Sequence, residues 1–263
     1  MAEGTVDVGG GRLWYERAGE GFPIVLIHPS PWDARIWDDQ FGEFAQQHEV
    51  IRYDVRGYGR SSRPVRAYSD VRDLRNLLGE LGISRCAFVG CASGAQLVTD
   101  FALAHPDVAD AMVLESPGLS GHRWKDPGFD LLIDEVSGAV RAGDLERAIE
   151  IELAVWVPLT AGDPSTGARV RAIARENVHM LWIEEDLAET PPPAVDRLGE
   201  VQAATLVIVG DRDVGEIQAI ADLIVGSILG ARKRVIADAD ALVHVRRPER
   251  FNRVVLDFLA FRV

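Results

Sequence analysis

The sequence predicts an α/β protein: a mostly parallel sheet covered by helices on both faces, with a helical insertion between two of its strands. Three observations carry this. Short β-branched apolar runs alternate with helix-length segments from residue 24 to 114, and again from 205 to 261. Between Pro117 and Val195 that alternation stops, and the pattern is helical with Gly, Pro and Asp breaks. Finally, Phe88-Val89-Gly90-Cys91-Ala92-Ser93-Gly94-Ala95 joins an apolar run at Cys86–Val89 to a helical pattern at Leu97–Ala104 through a glycine-rich turn.

Taken in order, Thr5–Val8 and Arg12–Arg17 alternate around three glycines and read as an antiparallel hairpin. Ile24–Ile27 reads as a strand buried on both faces. It ends in the turn-rich loop His28-Pro29-Ser30-Pro31-Trp32-Asp33, with a helix following to about Gln47. Val50–Tyr53 is the next strand, and Ser69–Leu81 the next helix. The strand at Cys86 and its helix follow, then a strand at Ala111–Leu114. After the insertion come the strand Thr205–Val209, a helix from Val214 to Leu229, the strand Lys233–Ile236 and a last helix from Pro248 to Phe261. The expected organisation is a core at 1–116, a helical cap at 117–195 and the rest of the core at 196–263.

Composition narrows the function. The 263 residues are 47% hydrophobic, enough for a large core, and carry a formal net charge of −13. An acidic chain without basic patches argues against nucleic acid or an anionic membrane as partner. No apolar run has the length of a membrane span. Cys86 and Cys91 sit too close in sequence for a usual disulfide, which fits a reduced cytoplasm. The six histidines are scattered and no C-x-x-C occurs, so no metal and no other cofactor is expected. The expected partner is a small molecule, with a homodimer left open.

Six elements in order resemble the α/β-hydrolase superfamily, most closely the small bacterial hydrolases with a helical cap. They are Ile27-His28, Asp54-x-Arg56-Gly57-x-Gly59-x-Ser61, Gly90-x-x-x-Gly94, Phe101-x-x-x-His105-Pro106, Gly210-Asp211-Arg212-Asp213 and Arg247-Pro248-Glu249-x-Phe251-Asn252. In that family the Gly-x-Ser-x-Gly turn lifts a serine nucleophile above the sheet, and an acid and a histidine follow in the chain. The resemblance puts Ala92 at the nucleophile position, Asp213 at the acid and Ala241 at the histidine. His244 lies three residues beyond. The backbone N–H groups of Ser30 and Ser93 match the oxyanion-hole donors, each such donor being worth about 3 kcal/mol. Ser93 lies one place past the turn's tip, so its side chain is expected to point away from the site.

The remaining candidates for chemistry are Asp213, His244 and Asp33, the last also being a preferred residue type for capping the following helix. Trp32 and His28 on the early loop, and Trp124, Trp156 and Trp182 in the insertion, are candidates for binding the ligand. The sequence supports three readings. One is a non-hydrolytic enzyme of cyclase, lyase, decarboxylase or isomerase type, acting on a small, largely apolar carbonyl compound through a retained oxyanion hole. The second is an esterase- or lactonase-type serine hydrolase inactivated by alanine at two positions. The third is a non-catalytic binder.

Overall fold

The computed structural model describes residues 1–158, 164–182 and 187–260. Its centre is one eight-stranded sheet in the order β1-β2-β4-β3-β5-β6-β7-β8. The strands are β1 (Ala2–Asp7), β2 (Arg12–Ala18), β3 (Pro23–Ile27), β4 (Glu49–Tyr53), β5 (Cys86–Cys91), β6 (Ala109–Glu115), β7 (Ala204–Gly210) and β8 (Arg232–Ile236). The first hairpin is antiparallel and β2 pairs antiparallel with β4, while every pairing from β4 to β8 is parallel. β3 and β5 lie at the middle, fully buried except at Pro23, as their unbroken apolar runs require.

The helices are α1 (Asp38–Phe44), α2 (Asp70–Glu80), α3 (Ser93–Ala104), α4 (Pro127–Arg141), α5 (Leu145–Trp156), α6 (Pro164–Glu176), α7 (Gly215–Ser227), α8 (Val243–Arg246) and α9 (Pro248–Leu259). Ser69 caps α2 by accepting the Arg72 N–H, and Asp126 and Asp144 cap α4 and α5 in the same way. The helix expected to run to Gln47 is instead a 3₁₀ turn at Ala34–Trp37 followed by α1, which stops at Phe44. The short α8 has no counterpart in the sequence reading. From α4 to α6 the chain is helical, and an isolated bridge further on pairs Tyr68 with Ala188.

The turn between β5 and α3 is where the sheet delivers a residue to its carboxyl edge. Ala92 there has φ 46 and ψ −111. Its N–H donates to the Glu115 carbonyl at 2.9 Å, and its carbonyl accepts from the N–H groups of Gln96 and Gly118. The turn can be this tight because two flanking positions have no side chain. A Cβ on Gly94 would stand 2.4 Å from the Ile27 carbonyl oxygen, and one on Gly90 would stand 2.6 Å from that of Gly94. Both obstacles are backbone, which cannot step aside. Gly94→Ala is therefore expected to cost about 2–3 kcal/mol or more, read as a drop in the urea midpoint. An unchanged midpoint would show that α3 can move off β3.

Candidate active site

Above the carboxyl ends of the strands, beneath the inserted helices, lies a cavity of about 280 Å³. Its floor is Cys91, Ala92, Ser93 and Ser116, and its side walls include Ser30, Trp32, Ala241 and Leu242. The inserted helices contribute Phe129, Leu132, Glu152 and Trp156, with Trp124 beside them. Ala92 thus faces a cavity from the tip of the turn, and Ala241 faces the same space from the loop after β8. The Ala241 N–H donates to the carbonyl of Trp156 at 3.3 Å, so the end of α5 holds that loop in place.

The loop after β3 contributes Ser30 to the cavity, and its hydrogen bonding matters for chemistry. The Ser30 N–H donates to the Ser93 hydroxyl at 2.8 Å. The Tyr58 hydroxyl donates to the Ser30 hydroxyl at 2.9 Å. The Ser93 side chain does not point away from the site, as expected, but lines it and occupies the Ser30 donor. An oxyanion could take that N–H only after Ser93 rotates away. The Ser93 N–H, the first of α3, makes no hydrogen bond to backbone among the described residues.

Asp213 lies in the loop between β7 and α7, and it is not part of the cavity lining. Its Oδ1 accepts the Val214 N–H at 2.8 Å, while Oδ2 is buried with no hydrogen-bond partner. The nearby Ser116 hydroxyl is close enough to favour the ionised form but outside hydrogen-bond geometry. Burial dominates and pushes the carboxyl up to about 6.

Two other candidates for proton transfer are committed elsewhere. Asp33 is fully buried and caps the 3₁₀ turn. Burial alone would raise its pKa, but the Arg35 guanidinium and the Asn177 amide outweigh that and bring it down to about 2. It is absent from the cavity lining and is fixed as a carboxylate, so the expectation that it moves a proton fails. His244 also lies outside the lining. Its backbone N–H and its Nδ1 both engage the Glu115 carboxylate, Nδ1 at 2.7 Å, and its ring stacks on Trp37 at 4.0 Å between centroids. The start of α8 turns it into the core rather than toward the vacant side of Ala241.

His28 is structural. Its Nε2 accepts the Val55 N–H at 2.9 Å, so Nδ1 carries the proton and donates to the Pro29 carbonyl. Burial lowers its pKa and keeps it neutral. Trp32, Trp124 and Trp156 do line the cavity. Trp32 also donates its indole N–H to the Val170 carbonyl of α6 at 2.9 Å. Trp182 ends the 3₁₀ segment Val178–Trp182, and its side chain lies outside the described residues.

Sequence reasoning missed Glu115, Ser116 and Glu152. Glu115 ends the apolar run of β6, and a carboxyl on a strand buried from both sides demands a partner; His244 is that partner. Ser116 has φ 43 and gave no signal beyond following that strand. Glu152 and Trp156 stand four apart on α5, which puts them on one helix face. Among the described residues, one group of metal-ligand types converges: Cys91, Glu115 and His244, all buried, with donor atoms within 4.8 Å of one another. The Glu115 and His244 donors are already hydrogen-bonded to each other. Burial, with Glu115 next to it, holds the Cys91 thiol well above its ordinary pKa.

The elbow, the capped cavity and the sheet order define an α/β-hydrolase fold. The chain belongs to the alpha/beta hydrolase family, which it matches over residues 24–254. A relative from Paraburkholderia xenovorans (strain LB400), a 2-hydroxy-6-oxononadienedioate/2-hydroxy-6-oxononatrienedioate hydrolase, is 28% identical over 95% of this chain and 91% of its own. The solved structure of Est816, described as an N-acyl homoserine lactone degrading enzyme, is 28% identical, with a TM-score of 0.80 over 97% of this chain and 100% of that one. The enol-lactonase from Burkholderia xenovorans LB400 has the same fold, at 22% identity and a TM-score of 0.82 over 98% and 100%. Among the described residues no helix is long and apolar enough to cross a membrane.

The unpartnered Asp213 gives a signed prediction. Its pKa of about 6 in the fold lies above the ordinary 3.8. Between those values the folded protein holds a proton that the unfolded chain has released, so stability falls as pH rises through that window. Asp213→Asn removes this loss. Urea unfolding at pH 4 and pH 7.5 should show the variant gaining on the parent by roughly 2–3 kcal/mol at the higher pH. Parallel pH dependences for the two proteins would refute it.

Proposed function

We propose that this chain keeps the ligand cavity of a capped esterase or lactonase while lacking the groups that would make it a serine hydrolase. One observation carries the reading: Ala92, at the tip of the strained β5–α3 turn, and Ala241 line the same cavity. A methyl group cannot attack a carbonyl, and no imidazole stands beside Asp213 to activate one. The relatives to which the chain is similar, a 2-hydroxy-6-oxononadienedioate/2-hydroxy-6-oxononatrienedioate hydrolase and an N-acyl homoserine lactone degrading enzyme, support a small carbonyl compound as the occupant. The mostly apolar lining supports an occupant of low polarity. A non-hydrolytic reaction has less support, because Asp33 is fixed as a carboxylate, His244 faces the core and the Ser30 N–H is occupied.

The unaltered protein is expected to release no burst of chromophore from activated acyl esters. Ala92→Ser alone should also remain near background, since a serine hydroxyl needs a base within hydrogen-bond reach. Ala92→Ser combined with Ala241→His supplies both groups in front of Asp213 and should exceed either single variant by about 10²-fold or more. A stoichiometric acyl burst in the unaltered chain would sink the reading. Full activity from Ala92→Ser by itself would show that another group serves as base.

A further inference from the structure

The inserted helices give the cavity an uneven electrostatic character. Glu152 on α5 lines it, and no Lys, Arg or His does so among the described residues. Trp156, four residues from Glu152 on α5, packs with the rings of Trp124 and Phe129. Trp124 stacks on Phe129 with centroids 4.1 Å apart and planes 9° apart. Trp156 meets Trp124 at 74°, with centroids 5.8 Å apart. A packed aromatic wall with a carboxyl in the same lining has the chemistry of a site for an organic cation. The ring faces carry the negative side of their quadrupoles, and the carboxylate supplies the compensating charge.

A carboxylate ligand would meet Glu152 from the cap, with no Lys, Arg or His among the described lining residues to pair with. Behind the floor at Cys91, Glu115 is hydrogen-bonded to His244 and Asp240 is paired with Arg246. Burial raises the Glu152 pKa while the Trp156 indole opposes the shift. A bound cation would draw the carboxyl back to its ionised form.

We propose that the ligand of this cavity carries a protonated or alkylated amine, seated against Glu152 and the aromatic wall of Trp124 and Trp156, with its apolar remainder toward Ala92. The proposal rests on the cavity being a ligand site, and its test separates the two. Choline, its neutral isostere 3,3-dimethylbutan-1-ol and the anion 3,3-dimethylbutanoate are titrated into the ¹⁵N-labelled full chain, with the tryptophan indole resonances as readout. Choline is expected to shift the Trp124 and Trp156 signals saturably and to bind about tenfold tighter than the alcohol, with the anion weakest. Glu152→Gln should bring choline to the level of the alcohol and leave the alcohol unchanged, which also shows that the variant is folded. Equal binding of choline and alcohol, or tighter binding of the anion, overturns the charge preference and leaves the cavity as a ligand site. No saturable shift with any of the three overturns both.

Discussion

Where α3 starts across the end of β3, the Gly94 backbone lies against the carbonyl groups of Ile27 and His28 with no room for a methyl group. That contact fixes the height and direction of the helix, and with them everything at the carboxyl edge of the sheet. It forces the chain to leave β5 through a residue with positive φ, a conformation that costs a non-glycine residue on the order of 1 kcal/mol. In a serine hydrolase such strain aims the nucleophile. Here the residue under that strain is Ala92. The turn persists because the surroundings over-determine it: three backbone hydrogen bonds to Glu115, Gln96 and Gly118, and two glycines that permit the approach. The elbow is thus a packing solution first, and the cavity above it survives whether or not a hydroxyl stands at its tip.

Among the described residues the inserted helices share no strand with the sheet; Ile149, Leu153, Val170 and Ile173 are buried in one apolar cluster with Trp32 and the strands, and polar bridges fix the register. Trp32 reaches the Val170 carbonyl, Asn177 joins Asp33 to the Gly59 N–H, His179 meets the Gly57 carbonyl, and the Trp156 carbonyl takes the Ala241 N–H. Each bridge ends on a loop that follows a strand of the sheet. The same contacts that hold the cap therefore set the walls of the cavity. They also account for the roles of His28 and Asp33. Both belong to the frame on which the cap rests, with their hydrogen-bonding capacity spent on the backbone of neighbouring loops or on Arg35 and Asn177.

The fold was legible because its signals are local and repeated. The runs at Ile24–Ile27 and Cys86–Val89 can only be buried strands, and the Gly90–Gly94 spacing has a backbone reason that any reader of the sequence can apply. The position of Ala92 at the turn followed from that spacing together with the other elements in order. The side-chain partnerships did not follow, because they depend on rotamers and on distant strands. His244 and Glu115 are 129 positions apart, and the length of the loop before α8 decides that the ring turns inward. Ser93 was legible as a helix start but not as an acceptor, since its rotamer is chosen by the Ser30 N–H 63 positions away. Asp33 offered two roles in sequence, and the presence of Arg35 two residues on decides for the cap.

Under the proposed reading, the consequence of losing a histidine falls on the aspartate left behind. A buried carboxylate facing an imidazole is kept ionised by the proton it helps to hold on the ring. With alanine at 241 that partner is missing, and Asp213 keeps one hydrogen bond from Val214 and a buried Oδ2 with none. Burial then outweighs everything that favours the charge, and the carboxyl rises to about 6. Glu115 and Asp240 nearby push in the same direction. His244 cannot relieve it, because its Nδ1 belongs to Glu115 and its ring is locked against Trp37. On that reading the two alanines do more than remove a nucleophile and a base. They leave the third group a titrating acid rather than a fixed charge, because burial, aided by Glu115 and Asp240, disfavours its ionised form.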